Sequence, residues 1–140
     1  MKLRILGAAL NMLLAAPAFS QTTMSADIPF RFHVGGASLA AGQYRLSWAN
    51  RDARAWCIRA ADGKPGALFT SPIGVEAKKA PERGALVFHG YGNTYFLSQM
   101  RVAGQTTAWQ LMPSKVELEY VKARRPVETA AVTLTTERPR

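Results

Sequence analysis

Two histidines, one cysteine and nine carboxylates are the chain's stock for acid–base, nucleophilic or metal chemistry. Their spacing assembles none of these. His33 lies on the polar side of an alternating stretch, with Asp27 and Arg31 beside it. A Ser–His–Asp arrangement there would need a serine delivered by tertiary structure, and no G-x-S-x-G elbow appears. His89 falls at a predicted hairpin turn. His33, Cys57 and His89 sit in three separate segments with no ligand spacing between them. Asp27, Asp52, Asp62, Glu76 and Glu82, the carboxylates considered for a glycosidase pair, fall mostly in turns, where such groups cap their own backbone. There is no phosphate-binding glycine loop. The sequence therefore predicts no enzyme, no catalytic residue, no cofactor and no metal.

Aromatic rings are the better candidates. Tyr44 and Trp48 share a strand face, and Tyr91, Tyr95 and Trp109 lie in or near a later hairpin. Exposed flat rings can stack on sugars or cap a lipid-binding mouth, whereas buried ones fill a small core. Trp48 and Trp56 are expected in the core. Tyr91, Asn93, Tyr95 and His89, all at or near one turn, form the expected surface-binding set.

The elements that must position these residues are short strands. From Met24 to Val34, Met24, Ala26, Ile28, Phe30, Phe32 and Val34 alternate with Ser25, Asp27, Pro29, Arg31 and His33, the period of a strand with one face in the core. Pro29 cannot donate to a ladder, so this strand is expected at an edge. Gly35-Gly36 breaks it, and Tyr44, Leu46 and Trp48 mark the next. Turns at Asn50-Arg51-Asp52 and Asp62-Gly63-Lys64-Pro65-Gly66 bracket a strand over 55–60, in which Trp56 and Ile58 take the core face. A short strand is expected near 67–71, then a charged loop or frayed edge over 73–83. The clearest hairpin joins 85–89 to 94–102, with Gly90, Gly92 and Asn93 as its positive-φ candidates. Another strand follows around 107–111.

One helix is signalled by PSKVELEYVKARR. Ser114 is placed to accept from the amide of Glu117 while Glu117 reaches back, a capping box, and Val116, Tyr120 and Ala123 share a face. After Pro126, Ala130, Val132 and Leu134 alternate in a closing strand, and residues 137–140 read as a free tail. This pattern predicts an all-β domain over 21–136, a single antiparallel sandwich or small barrel with one short helix near the C-terminus.

The first twenty residues read as a secretory signal. Lys2 and Arg4 precede the apolar run Ile5 to Ala16, and Ala18-Phe19-Ser20 supplies small residues before a cut at Gln21. The run is too short for a membrane span, which needs roughly 20 apolar residues. Cutting 20 of the 140 residues leaves 120, and removing Lys2 and Arg4 takes the net charge from +9 to +7. That excess suits anionic envelope polymers or lipid headgroups, although the basic residues cluster only at Lys78-Lys79 and Arg124-Arg125. Nucleic acid is not an expected partner. Cys57 has no second cysteine to pair with, and Trp56 and Ile58 beside it favour burial.

The strings IPFRFHVGGASLAAGQYRL, LVFHGYGNTYFLSQM and LMPSKVELE together resemble an uncharacterised family of short exported bacterial proteins. Its pattern runs IPF.F.VG…LPAG.Y.V, then LVF.RYGD.YFLS.VW, then LP.S..E. Ala40-Ala41-Gly42 stands where the pattern has Pro-Ala-Gly, His89-Gly90-Tyr91-Gly92-Asn93 where it has Arg-Tyr-Gly-Asp, and Met100-Arg101 where it has Val-Trp. The resemblance implies an all-β fold and export, and no activity.

The function expected is that of an exported, non-catalytic envelope or extracellular module binding a protein or an anionic polymer. The alternative is a calycin-like carrier of a small apolar ligand. A membrane-spanning barrel is not expected, because its strands run 9 to 11 residues and most here are shorter.

Overall fold

The computed structural model describes residues 23–50, 55–63, 66–69 and 72–137. The expected signal segment, residues 51–52 and 64–65 of two expected turns, Ser71 and residues 138–140 of the expected tail lie outside them. Eleven strands and one helix make up the described residues. The strands are β1 (Thr23–Ile28), β2 (Phe32–Val34), β3 (Ala37–Leu39), β4 (Gly42–Asn50), β5 (Ala55–Ala60), β6 (Ala67–Phe69), β7 (Ile73–Glu76), β8 (Gly84–Tyr91), β9 (Thr94–Arg101), β10 (Thr107–Gln110) and β11 (Glu128–Glu137). Helix α1 spans Lys115–Lys122.

One continuous sheet runs β3-β2-β9-β8-β11-β1-β4-β5-β6 and curls into a half-barrel. β2 and β6 approach one another across its open side. β10 adds to β9 beyond the stretch that β2 occupies, and β7 adds to β10. Every pairing is antiparallel except β2 with β9, which is parallel at Phe32↔Tyr95 and His33↔Phe96. The fold class expected from the alternation is the one observed.

The concave face is the core. Met24, Ile28, Phe32, Leu46, Ile58, Leu86, Phe88 and Met100 are each at most 2% exposed. Phe88 receives Phe30 and Phe32 edge-on, with centroids 5.0 and 5.6 Å away. At one end Trp48 lies 4.0 Å from Trp56 and meets Trp109 of β10 edge-on at 5.7 Å. These rings bridge the two flanks where strand pairing stops. The indole N–H groups of Trp56 and Trp109 are buried without a hydrogen-bond partner.

Several expectations are revised. Pro29 ends β1 rather than marking an edge: β1 lies inside the sheet, between β11 and β4. The strand beyond it resumes as β2, and a further strand, β3, follows Gly35-Gly36. His33 is half-buried, its ring stacked on Phe96 at 4.9 Å. Cys57 is half-buried on the side opposite Trp56 and Ile58, with Arg59 Nε donating to its Sγ at 3.2 Å. Residues 73–76 of the expected loop form β7, fully on the surface. Glu137 belongs to β11 and faces Arg45 at 3.8 Å, so it is not part of a free tail.

Candidate functional site

The site is built on the convex face of β8 and β9, where α1 covers it. Tyr91↔Thr94 closes the hairpin, leaving Gly92-Asn93 as a two-residue turn. Gly92 takes a φ of +64° and Asn93 no positive φ, which fits a type II′ turn with glycine at its first central position. Gly90 serves a different purpose from the one expected. A Cβ there would come within 2.7 Å of the Tyr95 ring, so the glycine makes room for that ring to cross β8.

The ladder slips once. Val87 pairs with Gln99 and Phe88 with Leu97, so Ser98 is an extra residue, a β-bulge. The extra residue lets Leu97 and Met100, three apart, both face the concave core. Ser98 itself lies on the convex face, next to His89. The Ser98 carbonyl is taken by the amide of Leu111 at 2.8 Å.

Above this face, Ser114 caps α1 by accepting from the amide of Glu117 at 3.1 Å, which is one half of the expected capping box; the Glu117 side chain does not reach back but turns to the sheet. The helix face is not the one expected. Val116 is 53% exposed, whereas Glu117 is only 4% exposed and faces the sheet. Its Oε2 accepts from Tyr91 Oη at 3.1 Å and from His89 Nδ1 at 3.0 Å. A carboxylate oxygen can only accept, so Nδ1 carries a proton, and in the neutral imidazole Nε2 then accepts from Ser98 Oγ at 3.2 Å. Burial raises the Tyr91 hydroxyl above the usual phenol range, and the Glu117 charge and its hydrogen bond add to the rise. That hydroxyl therefore stays a donor. Around the chain of bonds, Phe96, Tyr91 and Tyr120 pack with centroids 5.3 to 5.9 Å apart.

The helix ends in a Schellman turn. Arg125 N–H donates to Tyr120 O at 3.2 Å and Arg124 N–H to Val121 O at 3.0 Å. Arg124 holds the left-handed conformation usually given to glycine there, with φ of +52°. The turn brings Arg125 and Pro126 back over the β8–β9 hairpin. Between them lies a cleft of about 450 Å³, lined by Tyr91, Gly92, Asn93, Tyr120, Arg125 and Glu128 among others. Asn93, Arg125 and Glu128 are exposed, Tyr120 is half-buried and Tyr91 is buried.

Of the four residues expected to form a binding surface, the structure brings three together. Tyr91 and Asn93 line the cleft, and His89 connects to Tyr91 through Glu117. Tyr95 faces the other side of the sheet, stacked on Phe30 at 4.0 Å. Sequence reasoning missed Glu117, Ser98, Tyr120 and Arg125 as site residues. The capping spacing marked Glu117 but gave no sign of its contact with a strand. Among the described residues no group of three His, Cys, Asp or Glu side chains is placed to hold a metal ion. No helix among them is long and apolar enough to cross a membrane.

No family model, curated protein or solved structure matches this chain, so its site is read from its own geometry.

Proposed function

We propose that this protein is an exported, non-catalytic envelope or extracellular module that binds an anionic polymer through the cleft beside α1. The observation that carries the reading is the cleft itself. Arg125 presents an exposed guanidinium at its rim, and Asn93 adds an exposed amide. A guanidinium binds a planar anionic group with two parallel hydrogen bonds. The net positive charge of the chain favours encounter with a polyanion.

The bonded order Ser98–His89–Glu117 is that of a hydrolytic triad, yet its setting supports a clamp. Ser98 is 8% exposed on a bulge inside the sheet, and Glu117 divides its oxygen between His89 and Tyr91. The network fastens α1 to the hairpin and thereby holds the cleft's walls.

The test is co-sedimentation of the mature protein with envelope fractions at low and moderate salt, beside treatment with a fluorophosphonate probe. Salt-sensitive binding that Arg125→Gln weakens, without labelling of Ser98, is the expected result. Loss of binding at both salt levels, or capture by a protein component alone, removes the polymer reading, and labelled Ser98 removes the non-catalytic one.

The alternative, a carrier of a small apolar ligand, draws no support from the two unpartnered indole N–H groups of Trp56 and Trp109, which call for an acceptor that such a ligand lacks. It needs interior space, and Phe32, Phe30 and Trp48 pack into the core.

A further inference from the structure

Resting on the polymer reading, we propose that the cleft recognises an acidic polysaccharide, one sugar ring bearing a carboxylate, rather than a polyanion in general. The argument is the mixture of groups around it. A polyphosphate would be served by cations alone, and it would be repelled by a carboxylate at the same rim. Here Glu128 lines the cleft together with Arg125. They do not pair with each other, and neither has a side-chain partner elsewhere among the described residues. Two opposite charges held apart in one cleft match a ligand that carries an anion and hydroxyl donors on the same small frame.

Each group then has one task. Arg125 takes the sugar carboxylate through two parallel N–H donors. Glu128 accepts from ring hydroxyls, which donate strongly to a charged acceptor. Asn93 supplies a donor and an acceptor in the two-residue turn, where its backbone is fixed by the hairpin. Tyr120, half-buried in the lining, supplies an aromatic ring on which the apolar face of the sugar can stack. Its hydroxyl donates to Thr94 Oγ1 at 3.5 Å, and its ring lies 5.3 Å from that of Tyr91. The Tyr91 hydroxyl is likewise committed, to Glu117. Both hydroxyls thus already donate within the protein. A volume of about 450 Å³ lies within the roughly 300–1,000 Å³ of small-ligand sites.

The experiment is isothermal titration of the mature protein with a galacturonate trisaccharide, with isomaltotriose as neutral control and tripolyphosphate as non-sugar anion. Short ligands keep multivalency from masking a local loss. Arg125→Gln, Glu128→Gln and Asn93→Ala alter exposed side chains, and an unchanged melting temperature verifies each fold. The trisaccharide should bind in preference to both controls. Arg125→Gln should weaken it about tenfold or more, as expected for a lost charged hydrogen bond, and Glu128→Gln roughly threefold to tenfold. Glu128→Gln should at the same time improve tripolyphosphate binding. If tripolyphosphate binds as well as the sugar acid, or Glu128→Gln leaves sugar binding unchanged or tighter, the acidic-sugar inference fails while the polymer reading stands. Equal binding of isomaltotriose also defeats it. If none of the three binds and envelope polymers are not retained either, both readings fall together.

Discussion

The two faces of the β8–β9 hairpin are held in different ways. On the concave side Phe88, Leu86, Leu97 and Met100 disappear into an apolar core shared with β1, β4 and β5. On the convex side His89 and Tyr91 meet a buried carboxylate from α1, and Ser98 bonds to His89 behind it. Apolar packing is non-directional and tolerates neighbours of similar size. A buried hydrogen-bonded network has a direction, and each member left unpaired costs desolvation. The core thus fixes that the sheet curls, and the network fixes where α1 sits and where Arg125 emerges.

The widest effect should come from the core. Phe88→Ala removes a ring that Phe30 and Phe32 both meet edge-on, and chemical denaturation should show a loss of about 3–5 kcal/mol. A loss below about 1 kcal/mol would mean the concave face is not the principal core. Next comes Glu117→Ala, which strands the hydroxyl of Tyr91 and Nδ1 of His89, at about 1–3 kcal/mol. Its sharper signature is local, because amide exchange should quicken in α1 ahead of β8. If α1 and β8 lose protection equally, the helix is no separate clamp and the contrast between faces collapses.

The smallest effect is a comparison of two tyrosines, one for each region. Burial raises the hydroxyls of both Tyr44 and Tyr91 above the ordinary phenol range. Asp62 adds to the rise at Tyr44 while Arg31 opposes it, and Glu117 adds to it at Tyr91. The unfolded chain therefore loses these protons first, near pH 10. Their stabilising share is complete below that pH and declines as the pH rises through the folded values. Stability measured from pH 9 upward should fall, and Tyr91→Phe and Tyr44→Phe should each flatten the decline. A slope untouched by Tyr91→Phe would show that its bond to Glu117 is not made in solution.

The concave face was legible because its rule is local. Met24, Ala26 and Ile28, then Tyr44 and Leu46, then Trp56 and Ile58, follow the two-residue period of a half-buried strand, and all are buried. The order of strands was not, since β1 passes over its neighbours in sequence to pair with β4 and β11. The convex site was half legible. The turn and the Ser114 cap carry short-range signals, and three of the four expected binding residues gather there. Glu117 was hidden because its partners lie 26 and 28 positions away. Ser98 was hidden because its partner His89 lies on the neighbouring strand, nine positions away.

The place of β11 between β8 and β1 has a kinetic consequence. During synthesis β1 is made early and β11 late, yet they are neighbours in the finished sheet. Until β11 arrives, β1 and β8 each keep an open edge, and no backbone pairing links the β1-β4-β5-β6 strands to the β3-β2-β9-β8 strands. Such edges invite pairing with other chains, and closure over so long a loop is slow. The last strand thus acts as the zip of the molecule, and the nascent chain depends on being kept apart from its copies until that strand is in place.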